Sequence, residues 1–260
     1  MKKYVLSIAL GLFCMVTAYS NGPKPKLEFY ELRVYSLADN SQLSSVENYL
    51  ENALVPALKK QGIPAVGVFT AIANDTAAVK KLYVLIPLRN AEQAAGYQQK
   101  LDADNNYLQK GSAYLNAAHD HPPFLRQERI LLKAFSDHPV FSKPGWKNDP
   151  AERVYELRSY EGPTENLYAN KVQMFNKGGE VKLFDRLGFH AVFYAEVLYG
   201  SRMPNLMYMT TFENMDKRNE HWKAFGNDPE WKTLSSMPEY QNNVSKADIL
   251  FLKPTAYSDL

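Results

Sequence analysis

The chain has 260 residues, 45% hydrophobic and 13% aromatic, enough to bury one large or two small cores, which excludes a disordered chain and a disulfide-stapled miniature fold. Thirty Lys and Arg stand against 28 Asp and Glu, and two of those cations, Lys2 and Lys3, precede an apolar run, so the rest of the chain carries 28 of each. A neutral body lacks the clustered cations that phosphate binding requires, which argues against nucleic acid as a partner.

Residues 1–20 have the make-up of an export signal: Lys2 and Lys3, then an almost wholly apolar stretch over 4–16, then small residues around Ala18 and Ser20. The apolar run is shorter than the ~20 residues a bilayer span needs, so the expectation is a periplasmic or secreted protein with a cleaved leader. The single cysteine, Cys14, lies inside that leader behind the bulky Phe13, a departure from the lipoprotein pattern. The mature chain then has no cysteine, hence no disulfide, no thiolate metal site and no Cys nucleophile. No later stretch is apolar enough for a transmembrane helix.

Residues 21–27, with Pro23 and Pro25, read as a linker, and beyond them the chain repeats itself. Phe29-Tyr30-Glu31-Leu32-Arg33-Val34-Tyr35 returns 125 residues later as Val154-Tyr155-Glu156-Leu157-Arg158-Ser159-Tyr160, with five of seven positions identical. Further matches keep the same order: Gly62 with Gly188, Leu82 with Leu206, Asn90 with Asn214, Asp104 with Asp228. The reading is a duplication, with one unit over 28–136, a turn-rich linker over 137–152 and a second unit over 153–260. In each unit a strand carries the Tyr-Glu-Leu-Arg motif and a helix follows, in the first unit with Leu43, Val46, Leu50, Leu54 and Leu58 at helical spacing and Pro56 as a kink. Further strands are predicted over 65–72 and 189–197, over 81–88 and 206–212, and over 130–132 and 249–252. Asn90 and Asn214 are placed to cap a second helix. Strand, helix, strand, strand, helix, strand is the ferredoxin-like order, an α+β class with helices on one face of an antiparallel sheet.

Alternation along the strands assigns candidate site residues. If the apolar set Tyr155, Leu157, Phe189, Ala191, Phe193, Ala195 and Val197 faces the helices, then Glu156, Arg158, Tyr160, His190, Tyr194 and Glu196 face the other way, and two paired sheets place them in a shared lumen. Arg33 and Tyr35 reach in from the first unit. His190 or Glu196 would accept a proton, Tyr194 and Tyr160 would orient a polar group, and Arg158 would hold a negative charge. Glu156 with Arg158 is equally readable as an internal ion pair, and Trp222, Phe225 and Trp231 as core or as a roof over an aromatic ligand.

The Val-Tyr-Glu-Leu-Arg-Ser-Tyr start at 154–160, Lys177-Gly178-Gly179-Glu180, Leu187-Gly188-Phe189, and His221-Trp222 with Asp228-Pro229-Glu230-Trp231 together resemble the NIPSNAP family. The resemblance is close over 153–255 and looser over 28–133. It implies a dimeric α+β barrel formed within one chain, in a superfamily that includes cofactor-independent monooxygenases and isomerases.

No Gly-rich phosphate loop, Gly-x-Ser-x-Gly elbow or His-Glu-x-x-His helix occurs, and His119 and His121 lack the further ligands of a metal site. The expectation is therefore no cofactor and no metal. Two functions remain open. One is a barrel that binds, and as an enzyme transforms, a small aromatic or carboxylate-bearing molecule in the lumen of the second unit. The other is a non-catalytic protein-interaction module with a structural lumen, and homo-oligomers are compatible with either.

Overall fold

A computed structural model describes residues 26–260; the expected signal at 1–20 and most of the first linker lie outside the described residues. Each half folds as expected. The first unit runs β1 (Phe29–Leu37), α1 (Asn40–Tyr49), α2 (Val55–Lys60), β2 (Gly67–Ala71), β3 (Lys80–Leu88), α3 (Ala91–Asp102), α4 (Asn105–Lys110), α5 (Ser112–Leu115) and β4 (Arg126–Ala134). The second runs β5 (Val154–Glu161), α6 (Glu165–Phe175), α7 (Glu180–Arg186), β6 (His190–Tyr199), β7 (Asn205–Phe212), α8 (Met215–Asn227), α9 (Pro229–Ser236) and β8 (Lys246–Pro254). Among the described residues no helix is long and apolar enough to cross a membrane.

Local chemistry sets the helix boundaries. Asp39, Asn90, Asp104, Thr164, Asn214 and Asp228 sit at N-caps, each side chain accepting a hydrogen bond from a backbone N–H of the first turn. Pro56 does not break its helix: α1 passes into α2 through a π-helical stretch, Leu50–Leu54, that changes the hydrogen-bond register just before the residue that has no N–H to give.

The eight strands close into one antiparallel barrel in the order β1-β3-β2-β8-β5-β7-β6-β4. Each unit contributes four strands, and the two sheets join edge to edge. One seam pairs β2 with β8, from Phe69↔Pro254 to Ala71↔Leu252; the other pairs β4 with β6, with a register shift at Leu131/Leu132. Closure leaves no free strand edge in either sheet, which removes the usual template for strand-to-strand aggregation.

The barrel interior reverses the expected assignment of faces. Tyr30, Leu32, Phe69, Leu85, Tyr155, Leu157, Phe193, Ala195, Val197, Met207 and Met209 form one buried cluster inside the barrel. Glu31, Arg33 and Tyr35, like Glu156, Arg158 and Tyr160, instead point outward beneath the helices. An eight-stranded barrel is just wide enough for its side chains to fill it, and a dry interior takes the apolar set, whereas the helix layer can offer charged groups their partners. At the start of β6 the expectation holds for Phe189, just before the strand, and for Ala191, which pack under the helices, and it fails from Phe193 onward. A bulge between Ala191 and Phe193 puts Val192 and Phe193 both in the lumen and turns Tyr194 to the helix side.

One end of the lumen is closed by packing at Gly67, where an added Cβ would lie 2.7 Å from Leu260 Cδ1 and 2.7 Å from the Phe69 ring. Gly67→Val should therefore overpack this end and cost about 1–3 kcal/mol, read as a lower urea midpoint with an unchanged slope.

Candidate functional site

The second unit builds its site on the outer face of β5 and β7, under α6 to α9. Glu156 is fully buried and all its hydrogen bonds come from the site itself. Arg158 Nε donates to Oε1 at 2.6 Å, Arg218 on α8 grips both oxygens at 2.7 and 2.9 Å, and Trp222 Nε1 donates to Oε2 at 2.8 Å. Burial alone would raise the Glu156 pKa, but the hydrogen bond from Arg218 and the charges of Arg158 and Arg218 outweigh it and hold the carboxyl below its ordinary range.

Arg158 lies over Trp222, its guanidinium carbon 3.7 Å from the ring centroid, and donates through Nη1 to Tyr160 Oη at 2.8 Å. Tyr160 Oη is 2.9 Å from Tyr208 Oη on the neighbouring strand. Burial weakens the hold of Arg158 on its proton, and the adjoining Tyr208, Tyr160 and Glu156 more than restore it, so the group stays cationic. Burial also drives the Tyr208 pKa far above a free phenol, leaving it a neutral donor. Lining the same cavity as Arg158, Lys171 on α6 pairs with Glu180 on α7 at 2.9 Å, with its ammonium 4.8 Å from the Phe175 ring. Between Arg158, Tyr160, Tyr208, the Lys171–Glu180 pair and the aromatic walls Phe184, Trp222, Phe225 and Trp231 is a cavity of about 260 Å³.

Of the residues expected to form a site, the structure brings Arg158 and Tyr160 to this cavity, with Glu156 beneath them as counter-ion. The others go elsewhere. His190 stands exposed at the start of β6 with Trp146 edge-on at 4.2 Å, its pKa lowered first by desolvation and then by His221. Tyr194 is buried between Phe135, Phe175 and Phe184, and Glu196 is half-buried, accepting from Tyr168 at 3.5 Å. None of the three lines the cavity. Arg33 and Tyr35 stay in their own unit. Arg33 donates to Glu31 at 2.5 Å and to Tyr97 on α3 at 2.6 Å, and Tyr35 packs edge-on to Tyr114 and Phe124.

Lys171, Glu180, Tyr208 and Arg218 escaped sequence reasoning, and the duplication itself held the signal for them. Lys171 is the seventh residue after its N-cap Thr164, as Val46 is after Asp39; Glu180 opens α7 as Val55 opens α2. Tyr208 pairs with Arg158 as Val84 pairs with Arg33, and Arg218 stands four residues beyond Asn214 as Ala94 does beyond Asn90. Val46, Val55 and Val84 share one apolar cluster with Tyr97 and Leu101. The second unit has thus exchanged an apolar filling for a polar one around a space.

Two βαββαβ units closed into eight strands with helices outside define the dimeric α+β barrel, here made by a single chain. Residues 155–259, most of the second unit, match the NIPSNAP family model. Among curated proteins none matches the chain. Among solved structures, a candidate monooxygenase of Lactobacillus acidophilus NCFM is similar at TM-score 0.55 and 12% identity, over 88% of this chain and 94% of its own. A candidate monooxygenase of Fusobacterium nucleatum subsp. nucleatum ATCC 25586 is similar at TM-score 0.55 and 8% identity, over 88% and 93%. A NIPSNAP family protein of unknown function from Agrobacterium tumefaciens strain C58 is 23% identical over 42% of this chain and 95% of its own, with TM-score 0.37. The two full-length likenesses show a shared fold.

The saturation of Glu156 predicts its energetics. Glu156→Gln leaves Arg158 and Arg218 without their counter-charge and should destabilise by about 3–5 kcal/mol. Because the folded pKa of Glu156 is depressed, its contribution is complete above the unfolded carboxyl value and disappears as pH falls through the folded value. Urea unfolding of both proteins from pH 7 down to pH 3 should therefore show the difference between them shrinking with acidification.

Proposed function

We propose that the protein binds a small, flat, anionic aromatic molecule, an aryl carboxylate or a phenolate, in the cavity between the sheet and the helices of its second unit. The observation that carries this reading is the divergence between the two units. Val46, Val55 and Val84 build the first without a polar group where the second has Lys171, Glu180 and Tyr208, so the fold does not require them. Buried ion pairs seldom improve stability over well-packed apolar residues. Their presence around a space, beside an Arg lying over Trp222, fits a ligand.

The chemistry specifies the ligand class. Arg158 and Lys171 supply positive charge, Tyr160 and Tyr208 supply neutral hydroxyls, and Phe184, Trp222, Phe225 and Trp231 offer ring faces and edges for an aromatic body. Glu156 is already saturated and serves to hold Arg158 in place. Export of the protein belongs to the same proposal, on the strength of the leader-like residues 1–20, and would bring this pocket to small molecules outside the cytoplasm.

The test restores the first unit's chemistry. Lys171→Val with Glu180→Val exchanges a buried pair for the residues of the duplicate, so the melting temperature should hold or rise. Calorimetric titration with salicylate and 2-naphthoate should show binding to the native chain and at least tenfold weaker binding to the double variant. Equal affinity for the two proteins, or no binding of either compound to the native chain, overturns the reading.

A further inference from the structure

The interior of the barrel is closed at the Gly67 end and open at the other. There a cavity of about 360 Å³ enters between Leu32, Val34, Tyr83, Ile130, Leu157 and Met207, within the lower part of the ~300–1,000 Å³ range of ligand pockets. It is made by both halves, with β1, β3 and β4 on one side and β5, β7 and β8 on the other. Its floor is apolar. Its uncharged polar groups carry no ionised partner for a head group: Ser159 and Asn205 bond each other at 2.9–3.1 Å, and burial pushes the Tyr83 phenol up to about 12 against the opposing charge of Arg202, which leaves it a neutral donor.

The charges at the mouth divide into two groups. Arg202 and Lys246 are matched by Asp248 and Glu161, two cations against two carboxylates in one cluster. The rest of the mouth continues into an outer groove of about 610 Å³ that shares Lys81 and Glu128 with the lumen cavity and adds Arg126, Phe124 and Leu125. Lys81 donates to Ser36 Oγ at 2.6 Å, and Glu128 accepts from Ser201 Oγ at 3.4 Å. Among the described residues neither Lys81 nor Arg126 is paired with a carboxylate. Two cations against Glu128 leave the junction of an apolar hole and a groove with a surplus positive charge.

We propose that this end of the barrel is a second binding site, for an amphipathic carboxylate whose chain enters the lumen between Leu32, Leu157 and Met207 and whose head group stops at Lys81 and Arg126. The site is separate from the pocket under the helices and does not depend on it, because alternation on β5 sends Leu157 and Ser159 to one cavity and Arg158 and Tyr160 to the other. An anionic head is required by the surplus charge; an apolar chain is required by the floor, where an unpaired polar group would lose its hydration with nothing in return.

Decanoate, below its micelle concentration, is the probe, with decyltrimethylammonium as the control of opposite charge and the full chain carrying a ¹³C label on its methionine methyls. Decanoate should bind and shift the Met207 methyl, the ammonium compound should bind at least tenfold more weakly, and Lys81→Glu with Arg126→Glu, both on the outer rim, should abolish that preference while leaving the melting temperature unchanged. Val34→Phe should close the mouth and remove binding, and Lys171→Val with Glu180→Val should leave it intact. An unmoved Met207 methyl, equal affinity for the two head groups, or binding lost only in the Lys171 and Glu180 variant overturns the proposal. The methyl shift and the rim variants decide the matter even where Val34→Phe fails to fold.

Discussion

Closing eight strands on themselves gives every strand one face inside a narrow dry cylinder and one face beneath helices, and the positions of the charged groups follow from that constraint. Beyond the open mouth the interior has room for side chains and for no layer of water around a buried ion, so an ion there would be stranded. Under the helices the same ion meets donors on a second element: Tyr97 for Glu31, and Arg218 with Trp222 for Glu156. The Glu-x-Arg motif therefore belongs outside the barrel in both units. It ties each first strand to a helix, and in the second unit it also borders a cavity.

The fold was largely legible because its signals are local and repeated. A seven-residue motif recurring at a shift of 125 exposes the duplication, and Asn90 and Asn214 mark their helices through the N-cap hydrogen bonds they make. Which strand face looks inward was not legible by the rule that helices cover the apolar side. Both faces here are largely buried, and along β5 Tyr155, Glu156, Leu157 and Arg158 are all buried, so alternation distinguishes two faces without saying which is inner. The β6 bulge adds a second obstacle. An extra residue leaves no mark in composition, yet beyond Ala191 it exchanges the faces, taking Phe193 inward and Tyr194 outward.

The site was legible only in its strand-borne half. Arg158 and Tyr160 stand in a motif that repeats, which drew attention to them. Lys171 and Glu180 are nine residues apart on two short helices and meet only because the Gly178-Gly179 turn, with Gly179 at a positive φ of 90°, folds α7 back onto α6. In the sequence each looks like an ordinary surface charge. The comparison that reveals them is between the units, since a charge standing where the duplicate has a buried valine cannot lie at the surface if the two copies share a fold.

The same strands wall both cavities, so the two differ in polarity through alternation alone. Arg158, Tyr160 and Tyr208 look toward the helices, while Leu157, Ser159 and Met207 look into the lumen, with a single backbone between them. A one-residue slip of β5 would place the arginine in the dry interior and the leucine beneath Trp222, so register is as much a requirement of the chemistry as of the fold. Two features hold it. The Glu156 cluster fixes β5 to α8 from outside, and the Ser159–Asn205 pair, whose two mutual hydrogen bonds cross from β5 to β7 within the lumen, is satisfied only in the native alignment. That pair is one of the few polar groups of a mostly apolar interior, and its position beside the open end lets one small contact serve both as a register lock and as part of the wall of the mouth.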